Sequence, residues 1–538
     1  MSVFRSGAVS VALVAALGFG CARTAAAQNH SGQEHKEPSV RVLVAAGGSR
    51  LSRHPSFGVR AHDLVVLYGG HSWQPLWTQN GAPTAAAQTA MKMLAAAADE
   101  GLDPAKYDGP VWSKAAAEWP DHANAADVTL SLDTLRYIHD LCMGRTGPAK
   151  LPKNVKPTLA DLAAQLSQSA DAGAWERLDP PYPQYGRLKQ ALVQYRGLLE
   201  EKPPALTDLP HAIKPGGHYR GLAALGTRLQ REGDFAPGQT PPTHSTLYQG
   251  AIVDAVRRYQ ARHGLPDNGV LGAETVAALE VPARVRVEEI KLTLERWRLT
   301  PRNAPPPVVI VNIPAFRLRA FDQWPASVFD MAVVAGEAYK HETPPLETTI
   351  ASITFRPDWT VPLTIARHDL LPKLARDPGL FQRQQFELID DRGQVASGPL
   401  TAARRERIAR GALTLRQQPG PENALGLIRF NLTDEKEIYL HGTPQDKLFD
   451  RTRRDLSHGC LRVEVPQLLA TWLLRRQGWN AQGVATAVNA QQSSLVQLAQ
   501  PVPILLTYDT VSVTPAGEVM FFPDVYRKNA ALAARLFN

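Results

Sequence analysis

The sequence changes character at one place, and that change constrains the fold more than any other feature. Before the proline-rich run PRNAPPP at 301–307, the chain is dominated by segments of strong helix formers, several with apolar residues spaced three and four apart. Beyond it, VVIVNIP at 308–314 is a β-branched run, and Phe316, Leu318 and Phe321 continue in near alternation. Such stretches suit a half-buried pleated surface. Helical segments followed by a block of strands point to a multidomain α+β protein. The 538 residues allow about three or four domains.

From about 41 to 215 the pattern is mostly helical. The Ala- and Met-rich stretch 86–98 is closed by Gly101-Leu102, and 124–145 ends in Cys142-Met143-Gly144-Arg145. The segment 154–172 carries Leu159, Leu162 and Leu166 at helical spacing, and a further helix runs from Leu188 to about Leu199. The Pro-rich run 202–215 reads as a connector. A small helical module spans 216–285, where AIVDAVRRYQARHGL at 251–265 puts Ile252, Val256 and Tyr259 on one face, beside Val253 and Gln260. Gly264 ends that helix, Asn268-Gly269 makes a tight turn, and Ala273 to Leu279 begins the next helix. A connecting helix and linker occupies 286–306, and a mostly β domain spans 307–490. Its strand candidates are 308–314, Met331 to Val334, Thr349 to Phe355, Gly426 to Phe430 and Glu437 to Leu440. The stretch 363–416 is richer in charge and helix formers and reads as a helical insertion, whereas 491–538 reads as a C-terminal extension.

Composition excludes several classes of function. With 44% hydrophobic and 20% charged residues, the chain is neither disordered nor collagen-like. Its 59 Lys and Arg against 51 Asp and Glu give +8, spread thinly in short clusters such as Arg451 to Arg454. A nucleic-acid binder would concentrate that charge on a patch or arm. Three cysteines cannot form the disulfide framework of a small secreted domain. Residues 1–27 read as a signal peptide: Arg5 is the basic end, SVALVAALGFG the apolar run, and Ala25-Ala26-Ala27 the cleavage site. That run is too short to span a bilayer, and no later segment approaches about 18 apolar residues. The expectation is export to the periplasm or cell envelope, with no transmembrane segment afterwards. Gly20-Cys21 resembles a lipoprotein box, but Gly18 stands where such boxes want an aliphatic residue. Removal of Cys21 with the signal peptide is the expectation, and lipid attachment its rival.

The densest chemistry lies in IYLHGTP at 438–444 and SHGCLRV at 457–463. The first reads as a strand with His441 at its end, and the second puts Cys460 directly after a glycine. The intervening chain is long enough to loop back, so thiol and imidazole can meet. A thiol titrates near pH 8.5, and a nearby imidazolium favours the nucleophilic thiolate. Such a pair attacks carbonyls to give thioesters. Backbone N–H groups of Gly459 and Cys460 are candidate oxyanion donors, since glycine permits close approach. Two other readings stand beside this one: Cys460 as buried filler, or Cys460, His458 and His441 as zinc ligands. Against zinc, there is no second cysteine nearby and no HExxH. Among other candidates, His71 reads as a surface or packing residue and Cys142 as a structural or incidental thiol. His341 and Glu342 could reach the cleft on a loop.

The strings HGTP and SHGCLRV, with 19 positions from His441 to Cys460, closely resemble the L,D-transpeptidases, bacterial cell-wall enzymes with a cysteine nucleophile. LERWR at 294–298, VVIVNIPAF at 308–316 and RQQPGPENALGLIRF at 416–430 resemble the large Gram-negative branch of that family. There a helical scaffold and a peptidoglycan-binding-like module precede the catalytic domain. GLDPAKY at 101–107 and Gly144-Arg145 resemble its scaffold. The resemblance implies Cys460 as nucleophile, His441 as base and the Gly442 carbonyl as the group orienting the imidazole. It implies that Ser457 and His458 line the site, and that Tyr439 and Arg462 lie near substrate or hold the loop. Arg462 suits a stem-peptide carboxylate or, equally, a salt bridge pinning the loop. Trp359 and Pro362 read as packing residues near the site.

The implied reaction joins peptidoglycan stem peptides through 3→3 cross-links, releasing D-Ala from a tetrapeptide stem through a thioester, with no metal or other cofactor. An L,D-carboxypeptidase or a protein–peptidoglycan ligase would use the same thioester, and a non-catalytic wall-binding protein is the rival of another kind. The implied partners are stem peptides and glycan, with carbapenem-type inhibitors acylating Cys460, and no nucleic acid. The module at 216–285 resembles a peptidoglycan-binding domain, with Tyr259-Gln260 where the family usually has Phe-Gln and Asn268-Gly269 where it has Asp-Gly. A helical spacer is its alternative reading.

Overall fold

The structure, a computed structural model, describes residues 37–114, 119–148, 156–207, 209, 211–242, 244–433 and 438–537. The signal peptide expected over 1–27, with Cys21, lies outside the described residues.

The N-terminal region is helix-rich, with its main helices at Val40–Ala45, Ala61–Gly70, Ala85–Ala95, Ala123–Met143, Leu159–Ser167 and Pro183–Gly197. The Ala-rich helix starts at Thr84, whose hydroxyl accepts the Ala87 N–H at 3.1 Å. It buries Ala87, Ala90 and Leu94 against a core containing Leu64, Tyr68, Trp77 and Leu130. Cys142 packs beside this core, remote in sequence and fold from Cys460, and neither is in a disulfide. The next unit is formed by Leu222–Arg231, Ala251–Arg262 and Ala273–Leu279, with Ile252, Val253, Val256 and Tyr259 buried. Gln260 holds its Asn268-Gly269 turn: the amide donates to Val270 O at 2.8 Å, and Oε1 accepts the Gly269 N–H at 2.9 Å. The connecting helix Ala283–Leu299 then packs against Pro183–Gly197.

The β-rich region contains β1 Val308–Asn312, β2 Arg317–Phe321, β3 Phe329–Gly336, β4 Leu346–Phe355, β5 Ile428–Leu432, β6 Tyr439–His441, β7 Asp455–Ser457, β8 Leu461–Val463 and β9 Ser494–Thr507. Their order is β7-β3-β8-β6-β5-β4-β9-β1-β2, and a further β2–β3 pairing closes the sheet on itself. Parallel pairs are β6–β8, β7–β3 and β9–β1. The core inside includes Val309, Val311, Ile353, Phe355, Phe430, Leu440, Leu461 and Ile504, all fully buried.

The extension expected over 491–538 is corrected by β9, which lies in the middle of this sheet between β4 and β1. Proline gives no ladder hydrogen bond, so a central strand that carries prolines faces a difficulty. The chain meets the difficulty with a register shift between Gln497 and Val502, a stretch that contains Pro501. The insertion lies between β4 and β5. It has the expected helices, among them Leu371–Arg376 and Ala402–Ala409, and also a three-stranded sheet of Trp359–Thr360, Thr414–Gln417 and Phe386–Ile389. Its own core includes Leu374, Leu388, Ile408 and Leu415.

Candidate active site

Strand register assembles the site. Arg429 of β5 pairs with His441 of β6, which pairs with Arg462 of β8. Directly paired residues share a face, so these three form one row across the sheet. Asn431 pairs with Tyr439 in the row beside it. Cys460 precedes β8, two residues from Arg462, and so continues that face next to Tyr439. Leu440 and Leu461 alternate to the opposite face and are fully buried. Nucleophile and base candidates are thus diagonal neighbours on one pleated surface, at the wall of a cleft of about 900 Å³. The insertion supplies the other wall, with Trp359, Pro362, Asp369 and Phe386. A separate cavity of about 500 Å³, beside the connector at 198–203, is lined by neither cysteine nor histidine.

His441 Nδ1 lies 2.6 Å from the Gly442 carbonyl. A carbonyl only accepts, so Nδ1 carries the proton and Nε2 keeps its lone pair. Burial first, then the Arg462 charge, pulls the imidazole down to about 3, against opposing contributions from the Gly442 and Leu425 carbonyls. Burial pushes the Cys460 thiol up, with hydrogen bonds from Tyr439 and the charges of Arg429 and Arg462 acting the other way. The resting pair is a neutral thiol and a neutral imidazole, which differs from the thiolate–imidazolium pair that the residues alone suggest. The cause is the dry, positively charged setting, where an imidazolium costs most.

The cysteine loop is tightly pinned. Ser457 donates to the Cys460 carbonyl at 2.5 Å and accepts the Gly459 N–H at 3.2 Å. An oxyanion would have to compete with Ser457 for the Gly459 N–H. Gly459 sits at φ +111, a conformation that favours glycine. Its carbonyl accepts from Thr343 Oγ1 at 2.7 Å, and Tyr526 OH accepts the Thr343 N–H at 3.3 Å while donating to Gly336 O at 2.7 Å.

His458 Nε2 turns to Asp369 Oδ2 of the insertion at 2.9 Å, and its ring lies 4.8 Å from that of His341. Among the described residues no group of three His, Cys, Asp or Glu is arranged to hold a metal ion. Tyr439, Ser457, His458 and Arg462 line the cleft with His341, Trp359 and Pro362. Glu342 instead pairs with Lys528 at 3.0 Å, and His71 Nδ1 lies 2.8 Å from Leu67 O in its own helix. Arg462 bonds the Gln445 side chain at 3.1 Å and, among the described residues, forms no ion pair that would pin the loop.

Three contributors escaped sequence reasoning. Arg429 lies in an expected strand, but its place beside His441 depends on register. Gly426 packs against the His441-Gly442-Thr443 turn, and a Cβ there would lie 2.6 Å from Thr443 N. Asp369 comes from the insertion, whose sequence gives no sign of which residue faces the cleft.

A cysteine and a histidine on one sheet face, in a cleft capped by an insertion, make a candidate site for thiol chemistry. Family models match a "Scaffold domain" over residues 62–192, a "Putative peptidoglycan binding domain" over 221–279 and an "L,D-transpeptidase catalytic domain" over 306–497. The chain thus has an L,D-transpeptidase catalytic domain preceded by scaffold and peptidoglycan-binding-like domains, an arrangement consistent with a multidomain protein of the L,D-transpeptidase family. A Haemophilus influenzae protein named "Putative L,D-transpeptidase" is 29% identical over 241 residues, 44% of this chain and 47% of that protein. The chain thus spans about half the length of the curated relative it matches. A crystal structure of an L,D-transpeptidase from Xylanimonas cellulosilytica is 16% identical, covers 57% of this chain and all of its own, and has a TM-score of 0.17, too slight a likeness to bear on the site. No helix among the described residues is long and apolar enough to cross a membrane.

Proposed function

We propose that this chain is a cysteine-dependent L,D-transpeptidase that forms 3→3 cross-links between peptidoglycan stem peptides. The observation that carries this reading is the shared sheet face of His441 and Cys460 in the cleft, with the imidazole turned so that Nε2 is the basic atom. Cys460 is the nucleophile, His441 the base and Gly442 the orienting carbonyl. In the first half-reaction the thiol passes its proton to His441 Nε2, and Sγ bonds to the carbonyl carbon of the third stem residue. The C–N bond to D-Ala breaks, the leaving amine takes the proton, and a thioester remains. In the second, the side-chain amine of another stem's third residue attacks the thioester. The C–S bond breaks, and the amine's proton returns through His441 to the thiolate. A neutral imidazole beside a neutral thiol suits this order of events, because proton transfer and attack are then coupled. Resemblance extends the reading to acylation of Cys460 by carbapenem-type β-lactams, to glycan and stem peptides as partners, and to action in the periplasm or envelope after removal of residues 1–27.

Mass spectrometry of the full mature chain mixed with a disaccharide-tetrapeptide tests this directly. The expected result is a covalent adduct on Cys460 with loss of D-Ala, converted to a 3→3 dimer by an amine-bearing acceptor stem and absent in Cys460→Ala. Only free tripeptide would move the reading to an L,D-carboxypeptidase, and coupling only to a protein amine would move it to a ligase. A folded protein that forms no adduct would leave the wall-binding alternative.

A further inference from the structure

The row that contains His441 is flanked on both sides by arginines whose charges have no carboxylate partner among the described residues. Arg462 donates through Nη1 to the neutral amide of Gln445, and its Nε is buried without a partner. Arg429 donates through Nε to the neutral amide of Asn431 at 2.7 Å and lies over the Tyr439 ring. Among the described residues, the acids lining the cleft face elsewhere: Asp369 binds His458, and Asp358 lies 3.9 Å from Arg416. Among the described residues neither guanidinium in this cleft has an acid beside it, and charge drawn out of water calls for compensation. Their planar forks match oxyanions such as a carboxylate or a phosphate, and a peptide donor carries a carboxylate.

We infer that Arg429 and Arg462 together form a carboxylate subsite that holds the C-terminal carboxylate of the leaving residue and so selects donors ending directly after the scissile bond. This rests on the acyl-transfer reading above. Arg462 lies two strand residues, roughly 7 Å, from Cys460. In the donor, the leaving residue's carboxylate lies three covalent bonds beyond the attacked carbonyl carbon, within the sweep of an arginine side chain. A donor extended by one residue would place an amide there and its carboxylate farther out. The subsite has a second effect. Both arginines oppose protonation of His441. A bound carboxylate offsets that field, so the imidazole accepts the thiol proton more readily when a proper donor is in place.

The test is the concentration dependence of Cys460 acylation, followed by mass spectrometry of the full mature chain, for a tetrapeptide donor and its C-terminal carboxamide. The wild type should prefer the free acid on the order of 10- to 100-fold, mostly through tighter half-saturation. Arg429→Gln and Arg462→Gln should each lose most of that preference, because the acid suffers far more than the carboxamide, and Arg429→Lys should recover part of it. Equal acylation of acid and carboxamide by the wild type would overturn the subsite and leave acyl transfer standing. A variant that keeps the full preference would do the same. Absence of any adduct with either donor would instead strike the acyl-transfer reading itself. Should Arg462→Gln fail to fold, Arg429→Gln decides alone.

Discussion

His441 should stay unprotonated until the solution is strongly acidic, and the cost can be measured as stability. Burial removes the water that would solvate an imidazolium, and Arg462 adds repulsion, so the folded-state value falls to about 3 from an ordinary 6.5. Between those values the unfolded chain binds more protons at this site than the folded one. The sign follows: the contribution is complete above pH 6.5 and is withdrawn as pH falls toward 3. Lowering the pH from 7.5 to 4 should remove about 3 kcal/mol through this one side chain. Two buried acids run the other way: burial first pushes Asp133 up to about 8 and Asp509 up to about 7, so acid relieves them. The informative quantity is therefore the difference between wild type and His441→Gln in urea unfolding at the two pH values. The wild type should lose about 3 kcal/mol more than the variant. In parallel, the imidazole resonance that disappears in His441→Gln should show no titration down to pH 4. A midpoint near 6.5, or equal acid sensitivity of the two proteins, would refute the account of a neutral base in a dry, positively charged setting.

Gly426→Ala tests the turn that aims His441. At φ +63 a side chain costs about 1–2 kcal/mol, and the added Cβ would press on Thr443 N at 2.6 Å and Gly442 C at 2.7 Å, which are backbone and cannot swing aside. Thermal unfolding should show a loss of roughly 2–4 kcal/mol, and acylation of Cys460 should slow about 100-fold as the imidazole is displaced; a wild-type rate would separate the turn from the chemistry. Tyr526→Phe removes the hydroxyl that bonds Gly336 O and Thr343 N, and should cost about 1–3 kcal/mol in urea unfolding. Acylation should slow as well, because Thr343 holds the Gly459 carbonyl, and unchanged stability would mean that this hydroxyl does not brace the loop.

Helix and strand periodicity made the division at 301–307 legible, because local patterns report which face of an element is buried. The strands at 308–321 and the helices at 85–95 and 251–262 follow directly from it. Cys460 and His441 were legible for another reason: thiol, imidazole and glycines crowd into two short strings. What stayed hidden depends on pairing across long sequence separations. Arg429 is unremarkable until β5 fixes its register against His441. Asp369 reaches His458 across 89 positions. Tyr526 supports a loop that carries residues from 336 and 343, a link that no local pattern encodes. The charge state of the Cys460–His441 pair was likewise hidden, since the residues alone suggest an ion pair and burial disfavours it.

The C-terminal segment links the peptidoglycan-binding-like domain to Thr343, the residue that holds the cysteine loop. β9 crosses the centre of the sheet, and the hairpin Val511–Val513 with Val519–Phe521 follows it. Phe521 stacks on His263 of the helical module with ring centres 5.4 Å apart, and the Arg286 guanidinium lies 4.5 Å from the Phe521 ring centre. A few residues later, Tyr526 bonds Gly336 and Thr343, and Thr343 holds Gly459. Phe521 is 2% exposed, so cutting out the module would uncover a buried aromatic ring and disturb the segment that braces the cysteine loop. Loss of activity in such a deletion would say little about wall binding. Substitutions on the exposed face of Ala251–Arg262, such as Arg257→Ala at a half-exposed side chain, leave that interface alone. Retention of such a variant on washed sacculi, compared with wild type, separates a module that grips the wall from one that only positions the catalytic sheet.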